Sequence, residues 1–260
     1  MQAVDFNVEY LSIPCLTFKI MLLKTNKNVS VGFSNPAHRY LQSEHFSVSY
    51  WKSQNAITGS STGREVAWFI QSQQDEWVLR HYWRGGLMAK FSRDKYLFTG
   101  IQMTRPMLEL ALLEDMYQVG LPVPKPIAAK IERDGLFYHG DILIEKILNT
   151  KDLLAVLTED SFTKEQWQQL GQVIARFHNF GIDHADLNIK NILFDGKQFY
   201  LIDFDQGKKR VPRRFWQQSN LSRLLRSFKK QQTKYPQLNF DENAWQQLIS
   251  GYQASLRKHK

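Results

Sequence analysis

His184-Ala185-Asp186-Leu187-Asn188-Ile189-Lys190-Asn191, running straight into Ile192-Leu193-Phe194, is the stretch on which the reading of this chain turns. Phosphoryl transfer from a nucleoside triphosphate needs a carboxylate to orient and deprotonate an attacking hydroxyl. It also needs oxygen ligands that hold a divalent cation against the phosphates. Asp186 and Asn191, five residues apart on a loop, can serve those two needs while a strand beyond the loop fixes the Asn. A turn at Asp195-Gly196 returns the chain as a second short strand, Phe199–Ile202. That strand delivers Asp203 twelve residues after Asn191, in Leu201-Ile202-Asp203-Phe204-Asp205, where a second cation ligand belongs. His-x-Asp-x₄-Asn arises by chance in roughly one per cent of chains of this length, and the hairpin and strand-terminal Asp make a coincidence rarer. The competing explanation is a polar surface loop carrying helix-capping acids.

Working outward, Thr163 to Phe180 reads as a helix: Thr163 caps it, and Trp167, Leu170, Ile174 and Phe177 recur at spacings of three and four. Upstream the pattern is strand-like. Glu65–Gln71 and Glu76–Trp83 form a hairpin through the polar turn Ser72–Asp75. Thr104 to Val119 is the one clear helix of that half, with Leu108, Leu112, Met116 and Val119 on one face. Gly120 ends it, and Pro122, Pro124 and Pro126 prevent its return. Strands follow near Ile127–Glu132 and Phe137–Lys146, separated by Asp134 and Gly135. Beyond Phe204 the chain is helical in tendency and heavily basic. The expectation is an α+β, two-lobed molecule. A strand-rich N-lobe with one long helix spans 28–146, a helix-rich C-lobe spans 147–260, and an N-terminal extension occupies 1–27.

Partners for the loop are sought in chain order. Gly59-Ser60-Ser61-Thr62-Gly63-Arg64 precedes the first hairpin strand, and Gly59 and Gly63 could let backbone N–H groups close over phosphates. The spacing is not Gly-x-Gly-x-x-Gly, and a plain Gly/Ser turn reads as well. In the next strand, Trp77-Val78-Leu79-Arg80-His81 places Arg80 where a phosphate-pairing Lys would stand, and Glu109 on the helix could pair with it. An exposed strand residue and a solvated helix face are the plain alternatives. Arg84, Lys90 and Arg93, interleaved with aromatics and made pliable by Gly85-Gly86, suit an anionic sugar or a lipid phosphate. A solvated basic hairpin is the other reading. His178 and His184 are expected to be structural.

With these residues assembled, the chain resembles the protein-kinase-like superfamily and, within it, the bacterial lipopolysaccharide kinases that act on 3-deoxy-D-manno-octulosonic acid (Kdo). The carriers are Leu79-Arg80-His81-Tyr82-Trp83-Arg84-Gly85-Gly86-Leu87, Gly120-Leu121-Pro122-Val123-Pro124-Lys125-Pro126-Ile127-Ala128-Ala129, and Asp186-Leu187-Asn188 with Asn191-Ile192-Leu193. Asp203-Phe204-Asp205 stands in place of the Asp-Phe-Gly of protein kinases. The resemblance runs from about Asn28 to Ser250. It implies a phosphotransferase with an alcohol acceptor, dependent on ATP and Mg²⁺, acting on the Kdo 4-hydroxyl of a Kdo–lipid A precursor. It also implies a peripheral protein at the cytoplasmic face of the inner membrane. Asp186 would be the catalytic base, Asn191 and Asp203 the Mg²⁺ ligands, and Arg80 with Glu109 the phosphate-positioning pair. Glu145 and Ile147 would bracket the hinge that receives adenine. Arg for Lys at 80, and Asn188 for the usual Lys after the Asp, weigh against a protein substrate. Another small-molecule or protein kinase of the same fold, or an inactive kinase-like binding module, are the alternatives.

Composition narrows the rest. With 260 residues, 43% hydrophobic, the chain can bury a sizeable core, which excludes wholesale disorder. Its single cysteine, Cys15, excludes an intramolecular disulfide framework and a cysteine-based zinc site. Leu11–Leu23 is apolar but broken by Ser12, Pro14, Thr17 and Lys19, with Asp5 and Glu9 upstream where a secretory signal carries positive charge. No apolar run reaches the roughly 20 residues of a membrane span. The formal net charge is +9, and Asp205–Lys234 holds ten basic residues against one acid, so that segment accounts for all of it. Phe215 and Trp216 lie inside it, as a patch touching anionic lipid headgroups requires. No nucleic-acid-reading motif accompanies these charges, so nucleic acid is not the expected partner.

Overall fold

Strand-forming runs and tight turns build the first half of the chain, whose structure is a computed structural model describing residues 7–11, 21–61, 66–73, 75–84 and 94–257. The chain divides into two compact units, Met1–Tyr117 with Pro124–Lys146, and Gln118–Val123 with Ile147–Lys260.

The first unit is an antiparallel sheet. Its strands are β1 (Asn7–Leu11), β2 (Met21–Asn26), β3 (Val29–Phe33), β4 (Ile57–Ser60), β5 (Ala67–Ser72), β6 (Asp75–His81), β7 (Tyr96–Leu97), β8 (Pro126–Asp134) and β9 (Phe137–Glu145). Their order is β1-β2-β3-β8-β9-β6-β5-β4, with β7 also paired to β9. The expected hairpin is present as β5 and β6, with Ala67 opposite Arg80 and Ser72 opposite Asp75. Residues 1–27, expected as an extension, contribute β2, which pairs with β3, and β1, which pairs with β2. The turn between β2 and β3 holds no glycine; Lys27 takes the left-handed backbone conformation there, at φ 53°. A Lys-Asn turn does not announce a hairpin in sequence. Phe33, Leu41, Phe46, Trp51, Ile70, Trp77, Leu79 and Leu143 form the sheet's core, with Trp51 edge-on to Trp77.

Helix α1 (Val48–Ser53) supplies Trp51, and α2 (Arg105–Gln118) is the long helix of this unit. The single apolar face expected for α2 is incomplete. Leu112 and Met116 are buried, but so are Met107, Leu110 and Leu113 on other sides, together with Glu109 and Asp115. Val119 lies past the helix end and is exposed. A helix buried around most of its girth carries no single stripe, so periodicity shows only part of its contacts.

The second unit is mostly helical. Strands β10 (Lys151–Asp152), β12 (Ile192–Phe194) and β13 (Phe199–Leu201) form one small sheet. A second pairs β11 (Ile182–Asp183) with β14 (Lys208–Lys209). Helices α3 (Leu153–Glu159), α4 (Lys164–Asn179), α5 (Arg214–Lys234) and α6 (Glu242–Ser255) surround them in sequence. Thr163 caps α4 as expected, its side chain accepting from Gln166 N–H while the Gln166 side chain accepts from Thr163 N–H. Trp167, Leu170, Ile174 and Phe177 are all buried.

Candidate active site

The loop that follows β11 is held at three levels. Asp183 accepts from the Ala185 amide at 3.3 Å and from Asn220 Nδ2 at 2.9 Å, and pairs with Arg210 at 3.3 Å. His184 is buried. Its Nε2 donates to the Ile202 carbonyl oxygen at 2.9 Å, and its ring lies 4.5 Å from that of Phe204, which stacks on Phe177. Burial holds its pKa below the ordinary histidine value, so it is neutral and serves as a tether. Ile202 completes the tether by donating its own N–H to the Asn191 carbonyl oxygen at 3.0 Å. Asn191 and Asp203 are thereby joined through one residue. The structural role expected for His184 follows from these contacts.

Asp186 stands exposed at the tip of the loop. Asn188 Nδ2 donates to its backbone oxygen at 3.0 Å and to Oδ2 at 3.3 Å, while Asn191 Nδ2 donates to the same backbone oxygen at 3.1 Å. That bond commits the NH₂ side of the Asn191 amide and leaves its oxygen as a ligand atom. Ala185 and Asp203 both have positive φ, 59° and 66°. Such conformations cost on the order of 1 kcal/mol or more each in residues with a side chain, and persist where neighbours over-determine them.

Helix α5 grips this loop along one flank. Asn220 Oδ1 accepts from the His184 amide at 3.1 Å, Ser227 Oγ accepts from the Ile189 amide at 3.2 Å, and between them Arg223 Nη1 lies 3.6 Å from Asp186 Oδ1. Sequence reasoning missed this group and placed Arg223 among the general basic residues. The spacing of Asn220, Arg223 and Ser227 put a polar stripe on α5 in plain view, but nothing local named its target.

In the first unit, Arg80 and Glu109 are brought together as expected. The guanidinium and carboxylate are 2.5 Å apart, and Glu109 is buried. Tyr82 Oη also donates to Glu109, at 2.5 Å, and the Arg80 guanidinium lies 5.4 Å from the Tyr82 ring. Arg84 rests over the Tyr96 ring at 5.0 Å. Gly59 lies inside β4 opposite Phe69, next to a register shift, rather than in an open turn. Gly63, Lys90 and Arg93 lie outside the described residues. Glu145 is the last residue of β9 and its N–H donates to the Lys125 carbonyl oxygen at 2.8 Å. Ile147, the first residue of the second unit's main segment, accepts from Thr150 Oγ1 through its carbonyl oxygen at 2.9 Å.

Residues 48–252 match the family model of the lipopolysaccharide kinase (Kdo/WaaP) family. The chain is 48% identical over 220 residues to the 3-deoxy-D-manno-octulosonic acid kinase of Mannheimia succiniciproducens, covering 81% of this chain and 90% of that one. Against the enzyme of the same name from Pasteurella multocida it is 40% identical, over 90% of this chain and 100% of that one. Among solved structures, WaaP in complex with acyl carrier protein aligns with a TM-score of 0.56 over 86% of this chain and 88% of that one. At 13% sequence identity that is a likeness of fold. Fold and matches together define a protein-kinase-like phosphotransferase with a hydroxyl acceptor. Within that class, the chain belongs to the lipopolysaccharide kinase (Kdo/WaaP) family.

Proposed function

We propose that this chain transfers the γ-phosphoryl group of ATP to the 4-hydroxyl of the Kdo sugar on a Kdo–lipid A precursor, during lipopolysaccharide core assembly. The observation that carries the reading is an exposed Asp186 whose backbone oxygen and carboxylate are both held by the Asn188 side-chain amide. Asp186 accepts the proton of the acceptor hydroxyl as that oxygen attacks in line. Phosphoryl transfer asks little covalent work of the protein, so holding this carboxylate in place is a main contribution. Arg80, fixed by Glu109 and Tyr82, offers a permanent charge to the ATP phosphates. Arg84 serves the anionic groups of the lipid portion.

Asn191 and Asp203 fit a Mg²⁺ ion. Both offer oxygen, they are tied together through Ile202, and the Asn191 amide is turned so that its oxygen is the atom left over. Among the described residues no three His, Cys, Asp or Glu side chains converge as metal ligands. Two oxygen donors suit Mg²⁺, which takes its remaining ligands from phosphate and water. Bound there, it would offset the charge on the phosphate oxygens.

For location, we propose peripheral binding to the inner membrane through Lys208–Lys234. No helix among the described residues is long and apolar enough to cross a membrane. Helix α5 begins with Arg213 as an N-cap that makes no side-chain cap and Arg214 at its first position, with no acid in the first turn. Cations at the positive end of a helix dipole oppose local stability, which supports a role outside the fold. Phe215 is 85% exposed beside them and Val211 is 72% exposed, an apolar tip within a basic collar. Trp216 does not share it. It is 5% exposed, donates Nε1–H to the Val211 carbonyl oxygen and packs edge-on to His178, because it falls on the inward side of α5.

The test is transfer of label from [γ-³²P]ATP to a Kdo–lipid A precursor in the presence of Mg²⁺. The protein should label the sugar, and Asp186→Ala should lower the rate by about 10²–10⁴-fold without changing the far-UV spectrum. Equal rates in the two proteins would remove Asp186 from the mechanism.

A further inference from the structure

Arg223 differs from its basic neighbours on α5 in what it faces. Asn220 and Ser227, on the same flank, are occupied with loop backbone, so the Arg223 side chain is delivered to the tip of the loop, at the Asp186 carboxylate. The contact is one nitrogen–oxygen approach of 3.6 Å, between side chains 46% and 58% exposed. A pair that open is worth at most about 1 kcal/mol and uses little of a fork built for two parallel bonds to a carboxylate. Nor does Asp186 depend on it for orientation, because Asn188 already holds both its backbone oxygen and its Oδ2. An acceptor that brings its own carboxylate offers the guanidinium the two parallel hydrogen bonds that Asp186 does not supply.

We infer that Arg223 binds the carboxylate of the acidic acceptor sugar, next to the hydroxyl presented to Asp186, and so selects an acidic sugar over a neutral one. The inference rests on the proposed Kdo acceptor, whose ring carries hydroxyls and a carboxylate within reach of neighbouring side chains. Binding through Arg223 draws the guanidinium toward the substrate and leaves Asp186 to the hydroxyl. Charged rim contacts that only steer would tolerate any arrangement of positive charge. A bidentate site requires the guanidinium itself.

The experiment is a steady-state comparison in detergent micelles, where membrane binding does not enter. Wild type, Arg223→Ala, Arg223→Gln and Arg223→Lys are assayed with a Kdo–lipid A precursor and with its Kdo methyl ester. Arg223→Ala and Arg223→Gln should raise the acceptor KM by about 10–100-fold, the loss of a charged hydrogen-bonded pair, at unchanged ATP KM and nearly unchanged kcat. Arg223→Lys should recover part of this. With the methyl ester, wild type and the Ala variant should share one KM. An Arg223→Ala loss of the same factor with ester and acid, or a fall in kcat at constant acceptor KM, would overturn the inference and leave Arg223 as a positioning residue for Asp186. Failure of the wild type to phosphorylate the precursor at all would instead overturn the proposed function, and this inference with it.

Discussion

His178 shows what burial does to a single titrating group in this molecule. It lies in α4 between the edges of Trp216 and Tyr252, with Nδ1 2.8 Å from the Tyr252 hydroxyl. Burial pushes its pKa down from the ordinary 6.5 to about 4, and burial lowers that of His184 as well. Both are neutral in the folded state at neutral pH, while in the unfolded chain they protonate near their ordinary value. The stability they contribute is therefore complete above pH 6.5 and drains away as pH falls toward 4, by on the order of 3 kcal/mol for His178. His81 behaves oppositely: burial disfavours its charge, but the hydrogen bond and charge of Asp141, with Asp94, outweigh burial and raise its pKa. Its contribution is complete below pH 6.5 and is lost only above that value, outside the acid window. Urea unfolding of wild type and His178→Gln between pH 7 and pH 4 checks this. The wild-type stability should fall steeply, and the variant, retaining the contributions of His184 and of His38, whose pKa burial also lowers, should fall with a shallower slope.

At the scale of elements, α4 and α6 meet at a pair of glycines. A Cβ on Gly171 would stand 2.0 Å from the Leu248 carbonyl oxygen, and one on Gly251 would stand 2.1 Å from the Gln168 carbonyl oxygen. Propensity alone favours alanine at a helical glycine by about 1 kcal/mol. Here the obstacle is the backbone of the opposite helix, which cannot swing aside as a side chain does. Gly171→Ala should therefore lower stability, the helical gain being outweighed by an overpacking cost of about 1–3 kcal/mol or more. Thermal unfolding reads the sign directly; a higher Tm in the variant would mean that the helices separate without cost. The same close crossing carries Tyr252 to His178, and α4 also supplies Phe177, on which Phe204 stacks. Packing of two helices thus reaches the loop of Asp186 through His184 and Phe204.

For the whole molecule, the net charge of +9 equals that of Asp205–Lys234, leaving the remainder balanced. On α5 the outward positions Phe215, Arg226, Lys229 and Lys230 are all exposed, whereas Asn220, Leu224 and Phe228 are buried. The proposed membrane contact and the grip on the catalytic loop thus share one helix, with Arg226 and Lys230 on the turns after Arg223. Neutralising Arg213, Arg214, Lys229 and Lys230, while sparing Arg223, should weaken co-sedimentation with anionic vesicles by at least about a hundredfold, at about 1 kcal/mol per charge. ATP affinity should not change. Equal loss of vesicle and ATP binding would make the segment structural.

Much of the fold was legible because its signals are local. Thr163 and the period of Trp167, Leu170, Ile174 and Phe177 mark a helix wherever they occur, and the hairpin β5–β6 follows from alternation and its turn. The grouping of Asp186, Asn191 and Asp203 was legible for the same reason: eighteen residues of one loop and hairpin carry all three. The pairing of Arg80 with Glu109 was offered by the order of the motifs and strengthened by the resemblance, since it joins a strand and a helix 29 residues apart. Three things waited for the tertiary structure. The Lys27 turn hid β2 and β3, α2 is buried on more sides than one stripe records, and Arg223 belongs to Asp186 rather than to the general basic segment. The turn was missed because its residues carry no turn signal; for α2 and Arg223 the deciding partners lie far along the chain. Sequence determines which side chains an element offers; only packing determines which of them meet.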